Sequence, residues 1–224
     1  MIEIVLDTET TGLSVKDGHR IVEIGCVELL NRIPTKNTFH CYLNPERKVS
    51  EEAFKIHGYS DEFLANKPKF IEIVDKFLDF IGDKNLVMHN AGFDLAHLNN
   101  ELRIVEKKTL NNFGIVDTLE IARGKFPGSQ ISLDALCKKF RIDNSKREKH
   151  SAIVDCELLA KVYVNLIDEK EPLLDFSENK ISGNVKKKQN LNIKYSNIVI
   201  KLTKEEIQLH NNFLKKELKK NFFN

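Results

Sequence analysis

The first nine residues place an acidic pair at the end of an apolar strand. Residues 2–6 are mostly Ile, Val and Leu, which is typical of a short buried strand. Asp7 and Glu9 follow directly, and at i and i+2 on an extended chain their side chains point to the same side. Two desolvated carboxylates repel each other unless a cation relieves them. The sequence therefore predicts a site for a hard divalent cation, Mg²⁺ or Mn²⁺, at one edge of a sheet.

Taken by itself, an Asp-x-Glu triplet more often marks a surface turn than a metal site. The apolar residues before it favour the metal site, and so does Thr10-Thr-Gly12, which offers hydroxyl groups, backbone N–H groups and a flexible turn beside the pair. Two further acidic positions and a histidine downstream complete the pattern, so the interpretation rests on the whole set.

The remaining sequence alternates strands and helices. Residues 21–30 and 37–43 predict strands joined by a hairpin loop over 31–36, which with the first strand makes an antiparallel meander. Apolar residues at helical spacing then predict a helix over 70–81 that ends at Gly82. A short strand at 86–88 and four more helices are predicted, at 93–102, 117–125, 132–140 and 151–167. This order predicts an α/β fold with a mixed sheet flanked by helices.

Two further acids lie at predicted helix starts. Asp94 follows the 86–88 strand, in the first turn of a helix, where an ordinary interaction with the helix dipole is the alternative explanation. Asp155 lies in line with the apolar Leu159, Val162 and Leu166 of the last helix of this region. Because carboxylates are rarely buried unpaired, a metal ion would explain this position.

His150 precedes Asp155 by five residues, which is about 140° around a continuous helix. It is therefore predicted on the preceding loop or first turn, where it could reach a substrate, although a surface histidine is the simpler reading of it taken singly. Asp7, Glu9, Asp94 and Asp155 with His150 form the set needed for two-metal hydrolysis of a phosphodiester, with the histidine as general base.

These residues resemble the DnaQ-like 3′–5′ exonucleases of the type that ends in His-x4-Asp. The similarity rests on Asp7-Thr-Glu9, on Asn90-Ala-Gly-Phe-Asp94 and on the His150 to Asp155 spacing, and it extends over residues 1–167. Within the family it looks close to the subunits that proofread for bacterial replicative DNA polymerases. The resemblance implies a ribonuclease-H-like fold, removal of nucleotides from a single-stranded or frayed DNA 3′ end, and two Mg²⁺ or Mn²⁺ ions.

The resemblance also assigns roles residue by residue. It implies that Asp7, Glu9 and Asp155 hold the catalytic ion, that Asp7 bridges to the second ion, and that Asp94 binds that ion directly or through water. It implies that Glu52 and His57 contact the terminal nucleotide. The full set of implied substrate contacts is Asp7, Glu9, Thr10, Gly12, Leu13, Glu52, His57 and Asp155.

A run of basic residues leads into His150. A solvated helix face is the simpler explanation for it, and contact with DNA phosphates is the other. The run consists of Lys138, Lys139, Arg141, Lys146, Arg147 and Lys149.

The region after residue 168 changes character. We predict an exonuclease domain over 1–168, a flexible polar linker over 169–192, and a docking segment over 193–224 with a strand at 197–202 and a capping box at Thr203–Glu206. The resemblance implies that the docking segment binds a polymerase subunit. It also suggests a sliding-clamp peptide at Glu171–Phe176, although Glu171 stands where that peptide has glutamine.

Composition limits the other functional classes. The sequence contains no run of 18 apolar residues, so no membrane span is predicted, and no signal peptide is expected. The four scattered cysteines predict a reduced cytoplasm. The resemblance implies that the protein is associated with the replisome there. Two alternatives to proofreading remain: a free-standing exonuclease that trims RNA or single-stranded DNA, and an inactive structural subunit. The tail argues against the first and the complete set of catalytic residues against the second.

Overall fold

The computed structural model describes residues 1–110, 114–145, 147, 149–167 and 203–217. The chain divides into two units, Met1–Asp175 and Phe176–Asn224. The first contains the strands β1 (Ile2–Thr10), β2 (Ile21–Leu30), β3 (Ile33–Tyr42), β4 (Asn85–Met88) and β5 (Ile115–Asp117). Its helices are α1 (Glu51–His57), α2 (Asp61–Ala65), α3 (Phe70–Ile81), α4 (Ala91–Ile104), α5 (Thr118–Lys125), α6 (Leu133–Phe140) and α7 (Ala152–Leu166). The second contains α8 (Lys204–Glu217).

The five strands form one mixed sheet in the order β3-β2-β1-β4-β5. β1, β2 and β3 pair antiparallel, whereas β4 runs parallel to β1 and β5 runs parallel to β4. β1 is therefore near the middle of the sheet, and its end faces the helix starts that follow β4 and β5. The predicted α/β fold with a mixed sheet flanked by helices is confirmed.

The core lies on both faces of this sheet because side chains alternate along β1. Ile4 and Leu6 pack with Phe77 of α3 on one face. Val5 packs on the other face with Leu159 of α7. These five side chains are at most 1% exposed, so β1 is packed between helices on both faces. No helix among the described residues is long and apolar enough to span a bilayer.

The hairpin between β2 and β3 is shorter than predicted. Its loop is Asn31-Arg32 only, with φ of 49° and 66°, the geometry of a tight turn that matches strand twist. Pro34 lies inside β3, opposite Leu29. Proline is typical of loops, which favours the longer loop, but β3 is an edge strand and can accommodate a residue without an N–H group.

Two short α-helices and one short strand are among the elements that the sequence did not predict. α1 and α2 have seven and five residues, too few to show a helical repeat, and begin at Ser50 and Ser60, whose side chains accept the N–H groups of Ala53 and Phe63. β5 has three residues. The predicted helices over 70–81, 93–102, 117–125, 132–140 and 151–167 correspond to α3, α4, α5, α6 and α7, within about two residues at each end.

The capping box predicted at the start of α8 is present. The Thr203 hydroxyl accepts the N–H of Glu206 at 3.2 Å, and the Glu206 carboxylate accepts the N–H of Thr203 at 2.8 Å. The predicted linker over 169–192, the clamp peptide at Glu171–Phe176 and the strand at 197–202 lie outside the described residues, so those remain predictions.

Candidate active site

The acidic pair lies at the end of β1, where the sheet meets the helix starts. Asp7 is partly buried and Glu9 is buried. Burial, and then the charge of Asp155, raises the pKa of Glu9 to about 8. Burial, and then the charges of Asp94 and Glu9, raises the pKa of Asp7 well above its usual range. The pair therefore favours a bound proton or cation at neutral pH.

Asp94 reaches this pair from the first turn of α4. That helix begins after Asn90, whose left-handed φ is 72°, and Asp117 accepts the N–H groups of Asn90 and Ala91, each at 3.0 Å. The N–H and hydroxyl of Thr8 both donate to Asp94 Oδ1, at 3.0 and 2.7 Å. Burial nevertheless raises the pKa of Asp94 to about 7. A third carboxylate with high proton affinity thus lies beside β1.

Asp155 completes the acidic set from the first turn of α7, where it is 3% exposed. His150 Nδ1 lies 3.5 Å from Asp155 Oδ2 and 3.9 Å from Glu9 Oε1. One ligand atom from each of these three residues falls within 4.8 Å of the others. Oxygen and imidazole donors at this separation can surround one metal ion.

His150 lies on the loop before α7, with Ser151 as the helix N-cap. The backbone N–H of His150 donates to the backbone carbonyl of Ile56 in α1 at 3.2 Å. Arg147 Nη2 donates to its Nδ1 at 2.9 Å, so this nitrogen is an acceptor and carries no proton. Burial, and then the positive charge of Arg147, lowers the pKa of His150. The imidazole is therefore held in the neutral state that a general base requires.

Glu23 of β2 anchors this loop, a role that no pattern in the sequence predicts. Its side chain is fully buried. One carboxylate oxygen accepts from His40 Nε2 and the Ser151 hydroxyl, at 2.7 and 3.0 Å, and the other from the Tyr59 hydroxyl and the Ala152 N–H, at 2.8 and 3.0 Å. Burial pushes the pKa of Glu23 upward, but these hydrogen bonds outweigh it and lower the pKa. The start of α7 is thereby fixed to the sheet.

Arg147 belongs to neither environment predicted for the basic run. Its side chain is 6% exposed and pairs with Asp155 and Asp134 instead of facing solvent. Lys139 and Lys149 lie over the rings of Phe126 and Phe54, while Lys146 is outside the described residues. The charge pattern of the segment gave no sign that one arginine turns inward, because the acids that attract it come from two different helices.

Two adjoining cavities contain the predicted site residues. One, of about 420 Å³, is lined by the catalytic candidates Asp7, Glu9, Asp94, His150 and Asp155. The other, of about 390 Å³, is lined by the remaining predicted substrate contacts together with Glu9, namely Thr10, Gly12, Leu13, Glu52 and His57. Glu9, Ile56 and Phe93 line both. The structure thus brings all the predicted site residues into one continuous depression.

Gly12 and His57 are held by close packing beside this second cavity. A Cβ on Gly12 would lie 2.3 Å from the ring of His19, so only glycine fits without displacing that ring. His57 is 3% exposed, its Nε2 bonds to the Thr10 carbonyl at 3.2 Å, and its Nδ1 accepts the Tyr59 N–H at 3.0 Å. Both ring nitrogens are occupied, so a substrate would meet the carbon edge of His57.

Comparison with known proteins identifies the family. Residues 4–163 match the family model described as Exonuclease, which is most of the chain. The chain belongs to the exonuclease family. This confirms the resemblance to DnaQ-like 3′–5′ exonucleases and identifies the chain as a 3′–5′ exonuclease.

The relatives of this exonuclease agree in sequence and in fold. It is 47% identical to the DNA polymerase III subunit epsilon of Rickettsia felis over 97% of each chain. Among solved structures, exonuclease X in complex with 5′ overhanging duplex DNA is 25% identical, with a TM-score of 0.59 over 74% of this chain and 90% of that one. The nuclease domain of 3′hExo, a DEDDh family member bound to rAMP, has a TM-score of 0.64 over 74% of this chain and 91% of that one, at 19% identity. The last comparison shows the shared fold.

The donor set of this exonuclease fits divalent metal ions, as is general in the DEDDh type. Carboxylate oxygens and imidazole nitrogen are the ligands that hard and borderline dications take. Burial raises the pKa values of Asp7, Glu9 and Asp94, and the neighbouring carboxylates add to the rise for Asp7 and Glu9. A bound dication would reverse that effect.

Proposed function

We propose that this exonuclease is the proofreading subunit of a bacterial replicative DNA polymerase, which removes mispaired nucleotides from a DNA 3′ end. The observation that carries the proposal is the 47% identity to an epsilon subunit over 97% of each chain. An enzyme that shared only the catalytic domain with that subunit would match over a shorter length. The replisome, in the cytoplasm, is the place of action that this proposal implies.

The proposed metal set is two Mg²⁺ or Mn²⁺ ions. Asp7, Glu9 and Asp155 would hold one ion and Asp94 the second, with Asp7 shared between them. When bound, such ions neutralise a phosphodiester and lower the pKa of attacking water. The chain supplies rigid carboxylates for this purpose, since β1 and the first turns of α4 and α7 fix them before any ion arrives.

His150 is proposed to take the proton from the attacking water. Burial and Arg147 lower its pKa, which keeps the imidazole neutral, and its side chain is 44% exposed. A neutral imidazole can act as a general base at neutral pH. The Ser151–Ala152 anchor on Glu23 keeps the loop in place while the proton moves.

The second cavity is proposed to hold the terminal nucleotide. It lies beside the acidic cavity and shares Glu9, Ile56 and Phe93 with it, and Leu13 at its rim is 82% exposed. An apolar side chain at that place can pack on a base of any identity. Because a mispaired end frays at lower cost than a paired one, discrimination would come from fraying instead of base-specific contacts.

Degradation of a 5′-labelled primer–template, with a matched or a mismatched 3′ end, tests the reaction in Mg²⁺ beside an RNA oligomer. We expect stepwise loss from the DNA 3′ end, faster when it is mismatched, and no loss with Asp7→Asn or with chelator. Faster loss of RNA would favour a trimming enzyme, and intact substrates would favour a structural subunit.

The docking segment over 193–224 is proposed to bind the polymerase subunit through α8. Among the side chains of this helix that the structure describes, three apolar ones are exposed: Ile207 (46%), Leu209 (70%) and Phe213 (56%). Leu209 and Phe213 are four residues apart and so lie on one face. Replacing both with Asp should abolish binding to the polymerase subunit in a sedimentation or surface-binding assay, with exonuclease activity retained. Asn212→Asp, an added charge on the same helix, is the matched control.

Clamp contact through Glu171–Phe176 stays a prediction. A glutamate in a pocket for an amide side chain should weaken binding, since its charge loses solvation there. Glu171→Gln should therefore tighten binding of the full chain to a sliding clamp, and equal binding of the two forms would argue against the peptide.

A further inference from the structure

Arg147 is held inside the acidic cavity by three partners. Its Nε and Nη2 donate to the two oxygens of Asp155, at 2.5 and 2.8 Å. Nη1 lies 2.7 Å from Asp134 Oδ1, and Nη2 also donates to His150 Nδ1 at 2.9 Å. The guanidinium thus forms a two-point pair with one proposed metal ligand while it covers the lone pair of the proposed base.

This position coincides with the place where a metal ion would be ligated. Glu9 and Asp155, two of the proposed metal ligands, lie beside His150, with one donor atom of each of the three within 4.8 Å of the others. Arg147 occupies lone pairs of Asp155, a proposed ligand, and of His150, the proposed base. A guanidinium and a dication cannot use the same lone pairs at once. Nor can His150 accept a proton at Nδ1 while Nη2 donates to it.

Charge explains why an arginine fills this place. Asp155 is 3% exposed, and a buried carboxylate is costly unless it is paired and hydrogen-bonded. Arginine gives a two-point pair in a planar geometry that lysine cannot reproduce. The third partner, Asp134 at the start of α6, has a side chain that is 57% exposed, so it offers a position toward solvent to which the guanidinium can swing.

We propose that Arg147 is a built-in competitor of the metal ion. In the metal-free protein it occupies Asp155 and His150 Nδ1, and it withdraws toward Asp134 when a divalent cation binds. The exchange exposes the lone pairs of ligand and base together, which couples activation of the base to metal loading. This inference rests on the proposed metal set and goes beyond it, since it concerns what occupies the site before the ion.

Binding of Mn²⁺ to the full-length protein without DNA tests the competition. Free Mn²⁺ is followed by electron paramagnetic resonance in wild type, Arg147→Gln, Arg147→Lys and the control Arg141→Gln, which removes an exposed arginine from the same segment. If Arg147 competes, the apparent Mn²⁺ affinity rises about tenfold or more in Arg147→Gln, because the fraction of sites free to bind increases. Arg147→Lys should behave more like the Gln variant than like wild type, and Arg141→Gln like wild type.

Thermal unfolding gives a second readout that does not depend on catalysis. Metal-free Arg147→Gln should unfold about 5 °C or more below wild type, because Asp155 loses its partner. Saturating Mn²⁺ should raise its Tm by more than it raises that of wild type.

The possible failures are distinguishable. Unchanged or weaker Mn²⁺ affinity in Arg147→Gln would overturn the competition, and so would wild-type affinity in Arg147→Lys. If Asp155→Asn binds Mn²⁺ as wild type does, the proposed metal site itself fails, whatever Arg147 does.

Discussion

The raised pKa values at the end of β1 predict that the metal-free protein loses stability as pH rises. The perturbation is removal of divalent ions with a chelator, followed by titration from pH 5 to pH 8.5. Glu9 takes up its proton at about 8 in the folded chain and at an ordinary value of 4.5 when unfolded. The folded state therefore binds more protons, so stability is fully present below pH 4.5 and is lost as pH rises through 8. Asp94, with a folded pKa of about 7, acts in the same direction from its ordinary value of 3.8.

The size of the effect follows from the pKa of Glu9. Each tenfold change in proton affinity corresponds to about 1.4 kcal/mol, so a shift from 4.5 to about 8 is on the order of 4–5 kcal/mol for Glu9. Domains are stable by roughly 5–15 kcal/mol, so the loss is a large share of the total. Glu9→Gln keeps the shape and removes the charge. It should therefore stabilise the metal-free protein at pH 8.5 by a few kcal/mol, while it abolishes exonuclease activity.

Urea unfolding in chelator at several pH values, followed by circular dichroism, measures both effects. The matched control is Glu157→Gln, an exposed glutamate on α7, which should leave the pH dependence unchanged. Saturating Mg²⁺ should remove most of the pH dependence of wild type, since the ion takes the place of the protons. Wild-type stability that is constant or rising between pH 5 and 8.5 in chelator would refute the reasoning, as would a Glu9→Gln variant that is less stable than wild type at pH 8.5.

Three further predictions concern the loop and helix that carry His150 and Asp155. In a pH–rate profile, the activity of wild type should rise with pH below about 6.5. His150→Ala should remove that rise and lower kcat by about 10²–10⁴-fold. A profile unchanged in the variant would exclude His150 as the base. Gly25→Ala should lower the free energy of unfolding, measured in urea, by about 1–3 kcal/mol, because the added Cβ would lie 2.5 Å from the backbone of Ala152 and push α7 away from β2. Gly124→Ala is the control, since a Cβ at that position on α5 would meet no neighbouring atom. Glu23→Gln should lower the free energy of unfolding by about 1–3 kcal/mol and lower kcat more than it changes KM. The amide NH₂ of the glutamine would face two of the four groups that donate to Glu23, which would release the His150 loop. Full activity in a stable variant would contradict that positioning role.

Local patterns carried the parts of the fold that the sequence predicted correctly. The helix over 70–81 was predicted because its buried residues recur at 3.6-residue spacing, and it matches α3 at both ends. The capping box at Thr203–Glu206 is a contact between residues three apart, so it is equally visible in the chain. By contrast, β5 has three residues, and the two-residue turn at Asn31-Arg32 was obscured by Pro34, which an edge strand accommodates.

The candidate site likewise has residues that the sequence indicates and residues whose contacts only the fold shows. Asp7, Glu9, Asp94, His150 and Asp155 could be predicted as a site because each lies at a strand end or helix start and their order along the chain is typical of a family. The sequence by itself therefore determined which residues are chemically able to bind a metal ion and accept a proton. It could not determine which groups Arg147, Glu23 and His57 contact in the fold, because nothing in their own neighbourhood indicates those partners.

The tertiary structure decided those three. Glu23 meets Ser151 across 128 residues of sequence, and His57 meets Thr10 across 47. Arg147 turns inward because α6 and α7 bring Asp134 and Asp155 to the same guanidinium. Spacing along a chain encodes which face of a helix or strand is buried, since that depends on near neighbours. The partner of a buried charge depends on which elements the folded sheet places side by side, and that is fixed only when the whole domain packs.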